Sequence, residues 1–347
     1  MVTYKRLKLV ILLFSIIGLF VFSGCDLVNS ITGKEDKKKT TIHPILLNGQ
    51  WGFIETSGVV SINPRFDLAR DFSDGMAAVR TGTNWGYVDA ETGRLSIDPQ
   101  FSIAGDFNDG LAAVQSTGQS YGYINKQGNY VVDPAFDFAS NFSEGKAAVR
   151  TDGLWGYINT NGNFVVEARY SDARPFSEGY AAVEGFEGWV YINDKGNEVI
   201  SPSFQISSAG EFSEGLAAIQ TADGWGYINK EGTPVITPKY DLAGPFVNDR
   251  AWVEDNGYIG YINKDDEFVV EPQFEEAQSF SEGYAAVRVS SDWFFIESKR
   301  GLIVIKDGYD EAQSFMNGIA RVRTGSDDDP SYGYINRKGE FVWYPSK

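Results

Sequence analysis

One phrase governs this chain. "FSEGKAAVRTDGLWGYINTNGNFVVEARY" runs from Phe142 to Tyr170, and "FSEGYAAVEGFEGWVYINDKGNEVI" begins again at Phe176. The two-residue mark Trp-Gly sets the period. It stands at Trp51-Gly52, Trp85-Gly86, Trp155-Gly156 and Trp225-Gly226. Degenerate copies are Tyr121-Gly122, Trp189-Val190, Ile259-Gly260, Trp293-Phe294 and Tyr332-Gly333. The spacings are 34, 36, 34, 34, 36, 34, 34 and 39 residues, which makes nine units. Such regularity overrides the two-domain prior for 347 residues, because an array grows by adding units and needs no separate cores.

Each unit reads as three short extended segments. In one unit they are Ala147–Arg150, Trp155–Asn159 and Phe164–Glu167, the last leading to Tyr170. Glycines 128, 162, 196, 232 and 339 fall seven residues after the mark, where a turn needs positive φ. Pro64, Pro134, Pro202, Pro238, Pro272 and Pro345 fall thirteen residues after it. Proline cannot donate into a central ladder, so the third segment ends there or lies at an edge. The paired alanines (Ala77-Ala78, Ala217-Ala218) mark places where a neighbouring strand or aromatic ring comes close. A unit of this size cannot bury its aromatics alone, so stacking on the next unit does so. The mark aromatics Trp51, Trp85, Tyr121, Trp155, Trp189, Trp225, Trp293 and Tyr332 therefore read as core, in preference to a stacking ladder for sugars or bases.

"NWGYVD", "LWGYIN", "GWGYINKEGTPVITPKYD", "FSEGLAAI" and "FSDGMAAV" resemble the WG-repeat family of bacterial proteins, over about residues 45–347. The resemblance implies an all-β repeat fold in proteins that are often secreted or envelope-bound, and brings no general catalytic residues. Three strands per unit and nine units depart from the four strands and four to eight blades usual in a propeller. No split unit is visible at either end. The expected architecture is an open, twisted β superhelix or solenoid, with a closed propeller-like ring as the alternative.

"MVTYKRLKLVILLFSIIGLFVFSGC" has a basic start, an apolar run from Leu9 to Phe22, and small residues before Cys25. The run is short for a bilayer span and fits a secretory signal. It resembles a bacterial lipoprotein signal, with Phe22 where Leu is usual; an uncleaved anchor is the other reading. By that resemblance residues 1–24 are removed, Cys25 carries diacylglycerol, and the protein is an extracytoplasmic, membrane-anchored lipoprotein. Residues 25–44 are polar without apolar period and read as a flexible tether, and residues 45–347 as the array.

Losing the three cations Lys5, Arg6 and Lys8 takes the net charge from −17 to −20. Such a chain repels phosphate backbones, so nucleic acid is not an expected partner. With one cysteine and one histidine, His43, it can form no internal disulfide and lacks a zinc set. One acid recurs in the Ser-Glu-Gly turn: Asp74, Asp109, Glu144, Glu178, Glu214, Asp249 and Glu282. Repetition argues that these cap turns, since a catalytic pair occurs once. Asp327–Asp329 lack the alternating spacing of a calcium loop. Length changes at Gln115–Ser120, Arg323–Ser331 and Gln205–Glu211 mark loops that tolerate change. The expectation is a non-catalytic scaffold, without cofactor or metal, that binds a protein, peptide or peptidoglycan partner. A structural envelope protein or adhesin is the alternative.

Overall fold

The computed structural model describes residues 41–326 and 328–346. The signal, Cys25 and the tether as far as Thr40 lie outside these residues. Among the described residues, nine small antiparallel sheets follow one another along the chain, the first three-stranded and the rest four-stranded. The fourth sheet shows the pattern. It runs from a short strand (Phe138–Ala139) to an alanine strand (Lys146–Thr151), a Trp-Gly strand (Leu154–Asn159) and an edge strand (Phe164–Tyr170). The two-residue strand is the one that three-segment reading missed, being too short to show alternation.

Local chemistry explains the turns. Asp152 and Gly153 both have positive φ, as a tight hairpin between twisted strands demands. After the Trp-Gly strand, the Oδ1 of Asn159 accepts from the backbone N–H of Asn161 and Asn163, and Gly162 completes the turn at φ 80°. Asn125, Asn193, Asn229 and Asn336 do the same in their own sheets.

The second mark residue is glycine because the edge strand bulges onto it. Trp155 pairs with Tyr170 but Tyr157 with Val166, so the edge strand carries extra residues between them. A Cβ on Gly156 would sit 2.5 Å from the Val166 carbonyl oxygen. Proline fits this bulge: Pro64 lies inside the strand Val60–Phe66, at the sheet edge, with the strand continuing past it. A single residue, Ser171, then links Tyr170 to the short strand of the next sheet.

The core lies between sheets. Ala148, Tyr157, Val166 and Tyr170 of the fourth sheet pack with Ala173, Phe176, Val183 and Ile192 of the fifth. Every Tyr two residues after the mark donates its hydroxyl forward to a backbone carbonyl. Tyr87 reaches Gly105, Tyr123 Ser140, Tyr157 Arg174, Tyr191 Gly210, Tyr227 Gly244 and Tyr261 Gln278, all at 2.6–3.0 Å.

The same relation joins the last sheet to the first. Tyr334 donates to the carbonyl of Pro44 at 2.7 Å, across 290 residues. Ile45 and Ile54 share a buried cluster with Ile319 and Tyr334. The nine sheets therefore form a closed, propeller-like ring, and the open superhelix is corrected. A ring closed by packing one whole sheet on another needs no split unit, so the intact termini gave no sign of it. The folded unit also begins at Thr41 rather than at residue 45, because Ile42–Leu47 is the first strand, with Ile42 and His43 buried.

Candidate functional site

The mark residues are spread round the ring and form no single site. Trp85 and Trp189 are buried, while Trp51, Tyr121, Trp155, Trp225, Trp293 and Tyr332 are half-buried. Their faces are often covered by cations or by other rings. Arg70 lies 4.8 Å from the ring of Trp85, and Arg174 5.2 Å from that of Trp189. Tyr121, Phe138 and Trp155 form a run across two sheets, with centroids 5.5 and 5.4 Å apart. Trp51 meets Tyr332 across the ring closure at 6.1 Å. The paired glycines serve the backbone: at Gly52, Gly86, Gly122, Gly156, Gly226 and Gly333 a Cβ would sit 2.4–2.9 Å from an edge-strand carbonyl.

The repeated polar residues are committed to neighbouring sheets. Ser73, Ser143, Ser177, Ser213 and Ser281 each donate from Oγ to the carbonyl of a phenylalanine one sheet on, at 2.6–2.7 Å. The acids beside them accept from the next sheet's turn. Asp74 accepts from the N–H of Gly110, Asp109 from Gly145, Glu144 from Gly179, Glu178 from Gly215, Glu214 from Asp249 and Glu282 from Gly318, all at 2.8–3.0 Å. The acids thus cap turns, and the turns they cap belong to the next unit. Each of these acids has φ between 49° and 53°, a conformation that costs an L residue free energy unless the surroundings fix it. The bonds and the neighbouring cations supply that fixing: Lys126 on Asp74, Lys230 on Glu178, Lys264 on Glu214 and Asp249, and Arg337 on Glu282, at 2.7–3.3 Å. Among the described residues, no three His, Cys, Asp or Glu side chains converge as metal ligands. Asp327 lies outside them.

One sheet, the fifth, departs from the rest at its edge strand. In the other eight, the mark residue pairs with the edge strand, as Trp51 does with Phe66 and Trp225 with Tyr240. In the fifth, pairing stops at Tyr191 with Ile200, and the edge strand is only Glu198–Ile200. Two sequence changes coincide there. Val190 stands where the bulge needs glycine, and the loop after Pro202 is two residues longer than in the fourth sheet. Phe294 also replaces a glycine, yet its edge strand Ile303–Tyr309 keeps full pairing, with Gly308 in place of a side chain in the bulge.

The result is a groove of about 330 Å³ between the hairpin Gly185–Gly188 and the segment Ser201–Ile206. Trp189, Val190 and Phe204 line it, Phe186 stands at its rim fully exposed, and its only charged lining residues are Glu187 and Glu198. The sequence carried both signals, the Trp189-Val190 mark and the long Gln205–Glu211 loop, but nothing local says that they meet. Phe186 was missed altogether, since a hairpin phenylalanine has no pattern of its own.

No curated protein matches the sequence. The chain resembles the solved structure of a eukaryotic initiation factor with a TM-score of 0.66 at 12% identity, over 88% of this chain and 96% of that one. It also resembles the computationally designed protein Ika8, with a TM-score of 0.50 at 14% identity, over 77% of this chain and 95% of that one. At these identities the likeness is one of fold alone. The family described as "WG containing repeat" matches seven segments: 51–82, 85–118, 121–155, 155–184, 189–224, 225–258 and 259–293. Those segments carry the mark and the turn acid, and six of the seven the interlocking Tyr (Phe53 stands there in the first), and the chain belongs to the WG-repeat family.

Proposed function

We propose that this protein is a non-catalytic scaffold, held at the outer side of a cell membrane by lipid on Cys25, that presents its ring to a protein partner. The observation that carries the reading is how the repeated reactive groups are used. The serines, tyrosines and carboxylates that would serve chemistry are bonded to the next sheet, so the ring is built for rigidity. Burial raises the phenols of Tyr87, Tyr123, Tyr157, Tyr227 and Tyr261 far above the usual tyrosine range, so they remain neutral donors. A rigid ring with projecting hairpins suits binding, where ordered loops lose little entropy on association. The membrane part rests on the signal-like segment ending at Cys25.

Photocrosslinkers at Gln119 and Ser326, both exposed hairpin positions, test the partner in living cells. One dominant adduct at either site is the expected result; diffuse adducts with abundant envelope proteins would favour a purely structural role. Alkaline washing of membranes tests the anchor. The unaltered chain is expected to stay with the membranes and the Cys25→Ala variant to leave them. Retention of the variant would refute lipid anchoring.

A further inference from the structure

We propose that the groove of the fifth sheet takes an extended segment of a partner protein, with an apolar side chain set between basic residues. The proposal rests on the scaffold reading and places its partner contact. Three observations converge. The strand Gly188–Asn193 lacks an edge partner beside Trp189, where the other eight sheets have one. An incoming extended chain gains backbone hydrogen bonds there, with side-chain pockets giving selectivity. The groove is lined by Trp189, Val190 and Phe204 with a fully exposed Phe186 beside them, so an apolar side chain has a seat. Glu187 and Glu198 are its only charged walls, both are exposed, and among the described residues neither forms an ion pair with a lysine or arginine. With a chain of net charge −17 behind them, they favour a cationic segment and repel phosphate and anionic lipid. The volume of about 330 Å³ is at the low end of ligand pockets, which suits a few residues of one extended chain rather than a folded domain.

The probe is an array of heptapeptides whose three central residues vary over Val, Ile, Leu, Phe, Tyr and Trp, between flanks of Lys, Ser or Glu. The intact chain is expected to be retained on Lys-flanked members and not on Glu-flanked ones. Phe186→Ala should weaken the best peptide about tenfold by fluorescence anisotropy, a typical loss for an exposed aromatic anchor. Glu187→Lys together with Glu198→Lys should invert the flank preference. Both sites are exposed, so an unchanged melting temperature verifies that the variants fold. Retention without flank preference, binding indifferent to Phe186→Ala, or no saturable binding would each overturn the proposal. A dominant crosslink from Gln119 or Ser326 beside a blank array would sink the groove and leave the scaffold standing. A positive array without any dominant crosslink would do the reverse for those two hairpins.

Discussion

The ring of His43 lies 5.6 Å from that of Tyr334, on the first strand at the register position that Ala147 holds in the fourth sheet. Phe72, Phe107, Phe142, Phe176, Phe212, Phe246, Phe280 and Phe315 each pack on the corresponding Tyr or Phe of the preceding sheet, at 4.6–5.0 Å. The only histidine of the chain thus stands where the ring closes.

That placement makes closure sensitive to acid. His43 is 1% exposed and its Nε2 has no hydrogen-bond partner. Burial holds its pKa below the usual 6.5, against the opposing pull of Asp71 and Glu282. The unfolded chain therefore takes up the proton first. The stability contributed by neutral His43 is complete above the ordinary histidine pKa and falls as pH drops below it. His43→Phe should flatten the dependence of melting temperature on pH between about pH 7 and pH 5. Parallel curves for the two proteins would show that His43 is not buried at the closure.

Tyr334 gives a second test. Tyr334→Phe leaves the Pro44 carbonyl without its donor, which costs about 1–3 kcal/mol for a buried group. Tyr157→Phe does the same to Arg174 inside the ring. Denaturant unfolding should show similar losses for both. A silent Tyr334→Phe beside a costly Tyr157→Phe would mean that Tyr334 lies at a free end.

The mark glycine should resist even a methyl group. Gly156→Ala places Cβ against the backbone of Val166 and Ala168, which cannot rotate away. Overpacking of this kind costs about 1–3 kcal/mol. Gly145→Ala meets open space and strains only its φ of 72°, so it should cost less. Equal losses would show that the bulge does not press on Gly156.

The turn acids respond to pH with the opposite origin. Partial burial pushes the carboxyl of Glu282 up, but the Arg337 guanidinium and the Gly318 N–H outweigh it and hold its pKa below the usual range. Its contribution is present above the ordinary 4.5 and lost as pH falls through the depressed value. Glu282→Gln should lower the melting temperature at neutral pH and make little difference near pH 3, roughly where carboxylates are protonated. A constant difference at all pH values would separate the effect from the charge.

Much of the fold is legible because each unit repeats the same physical problem. The period, the turn glycines and the proline at the edge strand follow from spacing and backbone chemistry. Closure is not legible, because it depends on the angle between successive sheets, which small packing differences set and no residue pattern states. The acids read correctly as turn caps, but which turn they cap is hidden for the same reason. Asp74 and Gly110 lie 36 residues apart, and only the stacking of sheets brings them together. At the groove, Val190 and the Gln205–Glu211 loop were each visible as departures, but their meeting is tertiary.

The most direct test is the distance between the first and last sheets. Nitroxide pairs at Gln50 and Ser326, Gln50 and Thr83, and Gln50 and Glu187, all exposed, report it by pulsed electron resonance, with Cys25 replaced by Ser. A closed ring predicts that Gln50–Ser326 is about as short as the neighbouring-sheet pair Gln50–Thr83, and much shorter than Gln50–Glu187. An open superhelix predicts that Gln50–Ser326 is the longest of the three, and that result would contradict the ring.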